Sequence, residues 1–305
     1  MAALNVPLLL DTDIGSDIDD AVCLSYLLRQ PRCELLGITT VSGEPRKRAA
    51  LADAVCRAAG RTDVPIHSGC DTPILGKILQ AECPQAVILP QFDHRPPSEF
   101  EPNTAVEFLR TQIRARPGEI TLLGIGPTTN LGLLFSIDPE IPSLLKGLVM
   151  MCGIFTHRLS GIGPSDREWN AYNDPLATAI VYRAAIPQHV SIGLEVTRKC
   201  KLPFPECVAR YKALGGPFAV VSAATEIWSK WGPKVTCTFH DPLAAAVIFE
   251  PGICEWSDGK VDIDVKSDLV PGMTLFNPDA DEKPHRIAVD VKPDQFFDHY
   301  FDVVK

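Results

Sequence analysis

Ten cysteines are scattered along this 305-residue chain without a single Cys-x-x-Cys pair, so the commonest zinc and redox spacing is missing. Cys23, Cys56 and Cys152 lie among apolar neighbours. They predict reduced core thiols in a cytoplasmic protein, not disulfides or zinc ligands. No apolar run reaches the roughly 18 residues of a membrane-spanning helix. The opening Met1-Ala-Ala-Leu-Asn-Val-Pro7 lacks the basic and long apolar regions of a secretory signal. Positive charge is also short: 29 Lys and Arg stand against 38 Asp and Glu, a net charge of −9. General nucleic-acid and anionic-membrane binders need a basic face, so neither is an expected partner. Gly124-Ile-Gly-Pro-Thr-Thr-Asn130 looks loosely like a phosphate-binding loop, but it has no Lys and Pro127 removes an amide donor. That excludes a nucleotide-phosphate site there.

What the chain does have is aspartate, gathered in one place. After the apolar run Leu8-Leu9-Leu10 come Asp11, Asp13, Asp17, Asp19 and Asp20, five carboxylates within ten positions. A helix cap accounts for one or two of them. Five repel one another unless a cation or protons offset the charge, which points to a hard-metal site. Strand and helix signals alternate over about the first 200 residues: strands near 6–11, 34–41, 64–68, 120–126, 148–151 and 190–194, helices near 19–30, 45–59, 104–116, 128–137 and 174–185. This predicts a mostly parallel sheet covered on both faces. Helices follow near 204–214, 218–231 and 241–250, and then a small β-rich part within 253–305 with a closing helix. The proline-rich 70–102 stretch shows no period and reads as a long functional loop. In such sheets ligands bind beyond the carboxyl ends of the strands, so Asp11–Asp20, Gly43-Glu44, Gly126–Asn130 and the residues after Gly153 are expected on one edge.

Three shorter motifs add to the cluster. Asp174-Pro-Leu-Ala and Asp241-Pro-Leu-Ala are near copies, each read as a helix start with Asp at the cap and Pro at the first position. Only the second carries a histidine, His240, before the aspartate, which offers a proton donor beside a metal ligand. In Glu168-Trp169-Asn170, an extended backbone would point Glu168 and Asn170 the same way, toward adjacent sugar hydroxyls. Taken alone, that stretch also fits an ordinary surface loop. Trp228 and Trp231, on the helix before His240, are candidates for stacking on a planar group, and ordinary helix packing explains them equally well.

Taken together and in order, Asp11-Thr-Asp-Ile-Gly-Ser-Asp-Ile-Asp-Asp-Ala21, Gly126-Pro-Thr-Thr-Asn130, Glu168-Trp-Asn170 and His240-Asp-Pro-Leu-Ala244 resemble the inosine–uridine-preferring nucleoside hydrolases. The resemblance implies a Rossmann-like α/β fold in a single unit over 1–305. It also implies one bound Ca²⁺, hydrolysis of a riboside to ribose and free base, and a homodimer or homotetramer. By the same resemblance, Asp13 is metal ligand and general base acting on a calcium-bound water, and Asp20 and Asp241 are calcium carboxylates. Thr129 lends a backbone carbonyl, and Asp19, Glu168 and Asn170 contact ribose. Asp11 supports the cluster and His240 is the leaving-group acid, while Trp228 remains a substrate-binding candidate by its place on the preceding helix alone. Asp17 has no counterpart in the shorter form of the opening motif. The chain also departs from the family pattern. Val41-Ser-Gly-Glu44 stands where Val-x-Gly-Asn is usual, which places a carboxylate among the expected sugar contacts, and Ile162 replaces a usual Asn. These departures keep open a calcium-dependent riboside-binding protein with weakened catalysis. The strand-Asp-x-Asp opening also occurs in haloacid-dehalogenase-type phosphatases, whose further signals are not evident here.

Overall fold

The computed structural model describes residues 5–156 and 167–305; the substitution noted at Ile162 lies outside them. In chain order the elements are β1 (Val6–Thr12), α1 (Asp19–Arg29), β2 (Cys33–Thr40), α2 (Pro45–Ala58), β3 (Ile66–Ser68), α3 (Ala105–Ala115), β4 (Thr121–Gly124), α4 (Thr129–Ile137), α5 (Ile141–Leu144), β5 (Gly147–Met151), α6 (Trp169–Asn173), α7 (Pro175–Arg183) and β6 (His189–Ile192). They continue with α8 (Leu194–Thr197), β7 (Lys201–Pro203), α9 (Phe204–Leu214), α10 (Pro217–Ser229), β8 (Thr236–Thr238), α11 (His240–Phe249), β9 (Cys254–Ile263), β10 (Thr274–Asn277), β11 (His285–Val291) and α12 (Pro293–Val304).

Nine strands form one sheet in the order β10-β9-β11-β6-β5-β4-β1-β2-β3. From β3 to β11 neighbouring strands run parallel, while β9 and β10 close the far edge antiparallel. The expected mostly parallel sheet flanked by helices is therefore present. Its centre is buried on both faces, which explains the unbroken Leu8-Leu9-Leu10, all at zero exposure, where a one-sided strand would alternate. The β-rich C-terminal part is not a separate layer. β11 pairs in parallel with β6, His285 opposite His189, and so extends the central sheet. Alternation in Val261-Asp-Ile-Asp-Val marked the end of β9, whose strand stops at Ile263, but the pairing of β11 with the distant β6 is not readable locally.

The order of strands reverses beside β1, which lies between β2 and β4. Chains leaving β1 and β4 depart to opposite faces, and a crevice opens at the carboxyl ends. The 70–102 stretch packs over this edge. It is anchored by two 3-10 turns, Pro84–Gln91 and Pro97–Glu99, and by buried Cys83, Ile88, Leu89 and Phe100, whereas 71–79 is mostly exposed. Among the described residues no helix is long and apolar enough to cross a membrane.

Candidate active site

β1 delivers the aspartates to the crevice, and two features hold the turn that follows it. Gly15 has φ +115°, a left-handed conformation, and a Cβ there would collide with Cys83 and Leu51. Arg48 lies fully buried beneath the turn. It donates to the carbonyls of Asp13 and Ile14 and to Ser16 Oγ, to the carbonyls of Ser42 and Gly43 (2.9 Å each), and to that of Glu82 (3.0 Å). One guanidinium thus ties together the β1 turn, the β2–α2 turn and the 80s segment. Motif reasoning missed it. The signal was there: Arg48 occupies the same face of α2 as Leu51 and Val55, where a cation is out of place unless its donors are all used.

Asp13, Asp17, Asp19, Asp20 and Asp241 line one cavity of about 350 Å³, with Glu168, Asn170, Trp228 and His240 on its other walls. Carboxylate oxygens of Asp19, Asp20 and Asp241 all lie within 4.8 Å of one another. Asp20 accepts from Thr12 Oγ1. Asp13 stands beside this trio, with Oδ2 accepting from Gln80 Nε2 at 2.8 Å. Burial raises the pKa of all four, and the neighbouring carboxylates add to it: Asp17 most for Asp19, Asp13 for Asp20 and Asp19 for Asp241. Arg48 pulls Asp13 and Asp20 the other way. A buried cluster of carboxylate oxygens whose charges oppose ionisation could hold a hard divalent cation. Asp11 lies just outside the cavity. Its Oδ1 accepts from Thr39 and from Asn130 Nδ2, its Oδ2 has no partner, and burial pushes its pKa up to about 7.

The wall facing the trio corrects two expectations. Glu168 and Asn170 do not share an extended strand. Glu168 caps α6, accepting from the N–H groups of Asn170 (2.8 Å) and Ala171 (2.9 Å), and it also accepts from Gly153 N. Asn170 sits inside that helix and donates to the carbonyls of Ile125 (2.8 Å) and Met151 (2.9 Å), tying the ends of β4 and β5 together. Both are buried in the cavity wall, not in a surface loop. Thr129 does not reach the cavity. It begins α4, so its carbonyl belongs to the helix, and its hydroxyl donates to Asp174 Oδ2 at 2.8 Å. The residue of this segment that lines the cavity is Ile125, directly after β4.

Glu44 is also displaced from its expected place. It lines a neighbouring cavity of about 520 Å³, where its carboxylate pairs with Lys47 at 2.5 Å and accepts from Cys83 N at 2.9 Å. With φ +57° it takes a left-handed conformation ahead of α2, which turns the side chain away from the aspartates. His240 does reach the site, with Nδ1 2.6 Å from Thr197 Oγ1. Burial first, then Arg198, lowers its pKa to about 4, so the ring is neutral at pH 7. Trp228 is buried in the wall with Lys234 Nζ 3.9 Å over its ring, while Trp231 and Trp169 line the same cavity about half-exposed. Ser16, Gln80, Met151, Trp169 and Leu194 complete the lining without having been singled out as site residues.

Comparison with known proteins bears on this arrangement. Residues 8–298 match the model of the family described as inosine-uridine preferring nucleoside hydrolase. The pyrimidine-specific ribonucleoside hydrolase RihA of Shigella boydii is 29% identical over 98% of both chains. Uridine nucleosidase 1 of Arabidopsis thaliana is 30% identical over 88% of this chain and 81% of its own. In three dimensions, the plant nucleoside hydrolase PpNRh1 superposes with a TM-score of 0.84 at 22% identity, covering 98% of each chain. The purine-preferring ribonucleoside hydrolase of Gardnerella vaginalis gives 0.83 at 23%, with the same coverage.

Proposed function

This chain belongs to the inosine-uridine preferring nucleoside hydrolase family, and we propose from that premise that it hydrolyses the N-glycosidic bond of pyrimidine ribonucleosides, uridine first among them. The observation that carries the reading is convergence: Asp13, Asp19, Asp20, Asp241 and His240 meet Glu168 and Asn170 around one cavity. The pyrimidine preference rests on RihA and uridine nucleosidase 1, relatives at 29% and 30% identity. An aromatic wall of Trp228, Trp231 and Trp169 suits any flat base.

Asp20 and Asp241, with Asp13, would hold the cation, and Ile125, which lines the cavity where Thr129 does not, would offer a backbone carbonyl with one lone pair left beside its bond from Asn170. All of these donors are oxygens, which favours Ca²⁺ over softer ions. When bound, the cation acidifies water and orients the ribose hydroxyls. The chain's own groups do the rest. Asp13 takes the proton of the attacking water as that oxygen bonds to C1′. The C1′–N bond breaks with its electron pair passing to the base, and the surrounding carboxylates stabilise the positive charge that builds up on the sugar. Asp19, Glu168 and Asn170 take the ribose hydroxyls. Asn170 keeps its side-chain oxygen for this, since both contacts it makes to β4 and β5 use its nitrogen. In the tautomer with its proton on Nε2, neutral His240 accepts at Nδ1 from Thr197 Oγ1 and presents the Nε2 proton to the departing base. Asp11 supports Asp13 from below.

Incubation with a panel of nucleosides in the presence of calcium, followed by assay of released reducing sugar, tests the reading. Uridine should turn over fastest. No release from any riboside would sink it, and equal turnover after replacing calcium by zinc would remove the metal assignment. His240→Ala should slow nucleosides far more than an activated aryl riboside, because a good leaving group needs no donor. The weakened-binder alternative rested on Glu44 and Ile162; Glu44, held by Lys47 and Cys83 outside the cavity, no longer speaks for it.

A further inference from the structure

Residues 71–79 run mostly exposed over the carboxyl edge of the sheet, and Gln80 is where that run turns inward. Its backbone carbonyl packs on Gly43, where any Cβ would collide with it, and accepts from Ser42 Oγ at 3.5 Å. Its carboxamide enters the active-site cavity. Nε2 donates to Asp13 Oδ2 and to Ser16 Oγ, each at 2.8 Å, and Oε1 accepts from the indole Nε1–H of Trp169 at 2.8 Å. This orientation is fixed by chemistry. An indole nitrogen only donates and a carboxylate only accepts, so a flipped amide would set donor against donor and oxygen against oxygen. Both amide hydrogens are used, and the three partners come from two otherwise separate segments, the turn after β1 and the start of α6.

We infer that Gln80 is a positioning residue for Asp13: it holds Oδ2 of the carboxylate, leaves Oδ1 as the oxygen that faces the end of β4, and links the carboxylate to the half-exposed Trp169 at the cavity rim. Asp13 Oδ1 does lie on that side, 3.0 Å from where a Cβ of Gly126 would stand. A riboside packing against Trp169 therefore presses on the same amide that aligns Asp13, and occupancy of the rim is felt at the reacting carboxylate. The role rests on the hydrolase reading proposed above, because it assumes that Asp13 is the group to be aligned.

The test uses the full chain with calcium, the wild type beside Gln80→Leu, Gln80→Glu, Trp169→Phe and the double variant Gln80→Leu/Trp169→Phe. Misalignment of a reacting group costs up to ~100-fold. Gln80→Leu should lower kcat by ~10–100-fold with KM changed by less than about 3-fold. Gln80→Glu, which keeps an acceptor for Trp169 but sets a carboxylate against Asp13, should lose more. Trp169→Phe should lose less than Gln80→Leu, and the double variant should be no worse than Gln80→Leu alone, since both changes cut one chain of contacts. The chain has four tryptophans, so the indole N–H resonance of Trp169 can be assigned by its absence from Trp169→Phe. That resonance should move in Gln80→Leu. Wild-type kcat and KM in Gln80→Leu, additive losses in the double variant, or an unmoved Trp169 resonance each overturn the inference. A wild-type protein that cleaves no riboside would instead overturn the hydrolase reading, and the positioning role with it, while the indole resonance still reports whether the bridge exists.

Discussion

Asp174-Pro-Leu-Ala and Asp241-Pro-Leu-Ala begin two helices with the same four residues and end in opposite roles. α7 starts at Pro175, so Asp174 is its cap: Oδ1 accepts from Ala177 N at 3.0 Å. Its Oδ2 takes Ile74 N at 2.7 Å and Thr129 Oγ1 at 2.8 Å. These bonds of the buried carboxylate are structural; they fasten the start of the 70–102 stretch and the start of α4. α11 starts two residues earlier relative to its aspartate, at His240, and has no side-chain cap. Asp241 is therefore not the cap that the local pattern suggested. Its carboxylate turns to Asp19 and Asp20 instead. An identical helix start thus becomes a fastener or a member of a carboxylate cluster according to what the tertiary structure brings opposite it.

The largest effect expected from this contrast is on turnover. Asp241→Asn should cut kcat on uridine by more than ~100-fold, beyond the ~10–100-fold typical of groups that act on a metal site from outside it. Asp174→Asn, once folded, should stay within about 10-fold of wild type by the same yardstick. Equal losses in steady-state assays would erase the distinction. The next effect is on cation linkage. Calcium at about 100 times its Kd should stabilise the wild type and Asp174→Asn by about 2.7 kcal/mol, read as a rise in Tm that chelator reverses. Asp241→Asn should show much less of it.

A third effect runs the other way. Without cation, Asp174→Asn should lose about 2–3 kcal/mol in denaturant melts, because a cap and hydrogen bonds to a buried carboxylate disappear. Asp241→Asn should hold or gain stability under the same conditions, since it removes one of several repelling buried charges. The smallest effect is the pH slope of the cation-free protein. Burial raises the pKa of Asp241 well above its ordinary value. Below about pH 4 the folded and unfolded chains both hold its proton. As pH rises toward the raised folded value, only the unfolded chain releases it, so stability falls through that window. Asp241→Asn should flatten this fall.

The limits of local reading recur at other residues. That Asp13, Asp20 and His240 would share one cavity was legible because carboxylates at this density, and a His–Asp pair, have few structural explanations. Thr129 was misplaced because its motif fixes a turn but not which carbonyl of the turn faces the crevice, and the structure puts Ile125 there. Glu44 was misplaced because a left-handed φ at a non-glycine residue carries no sequence signal. Arg48 and Gln80 were missed because each acts through backbone carbonyls or a single amide, contacts that any polar residue on a loop or helix might have made.

The sequence by itself determined the alternation of strands and helices, the buried central strand Leu8–Leu10 and the concentration of negative charge behind it. These are properties of neighbours along the chain: period, propensity and local repulsion. Only the tertiary structure decided which carboxylates meet, that Asp241 joins Asp19 and Asp20 from more than 200 residues away, and that its twin at Asp174 does not. The physical reason is that a metal-binding cluster is defined by distances between side chains. Those distances follow from strand order and helix phase, which no single stretch of the chain encodes alone.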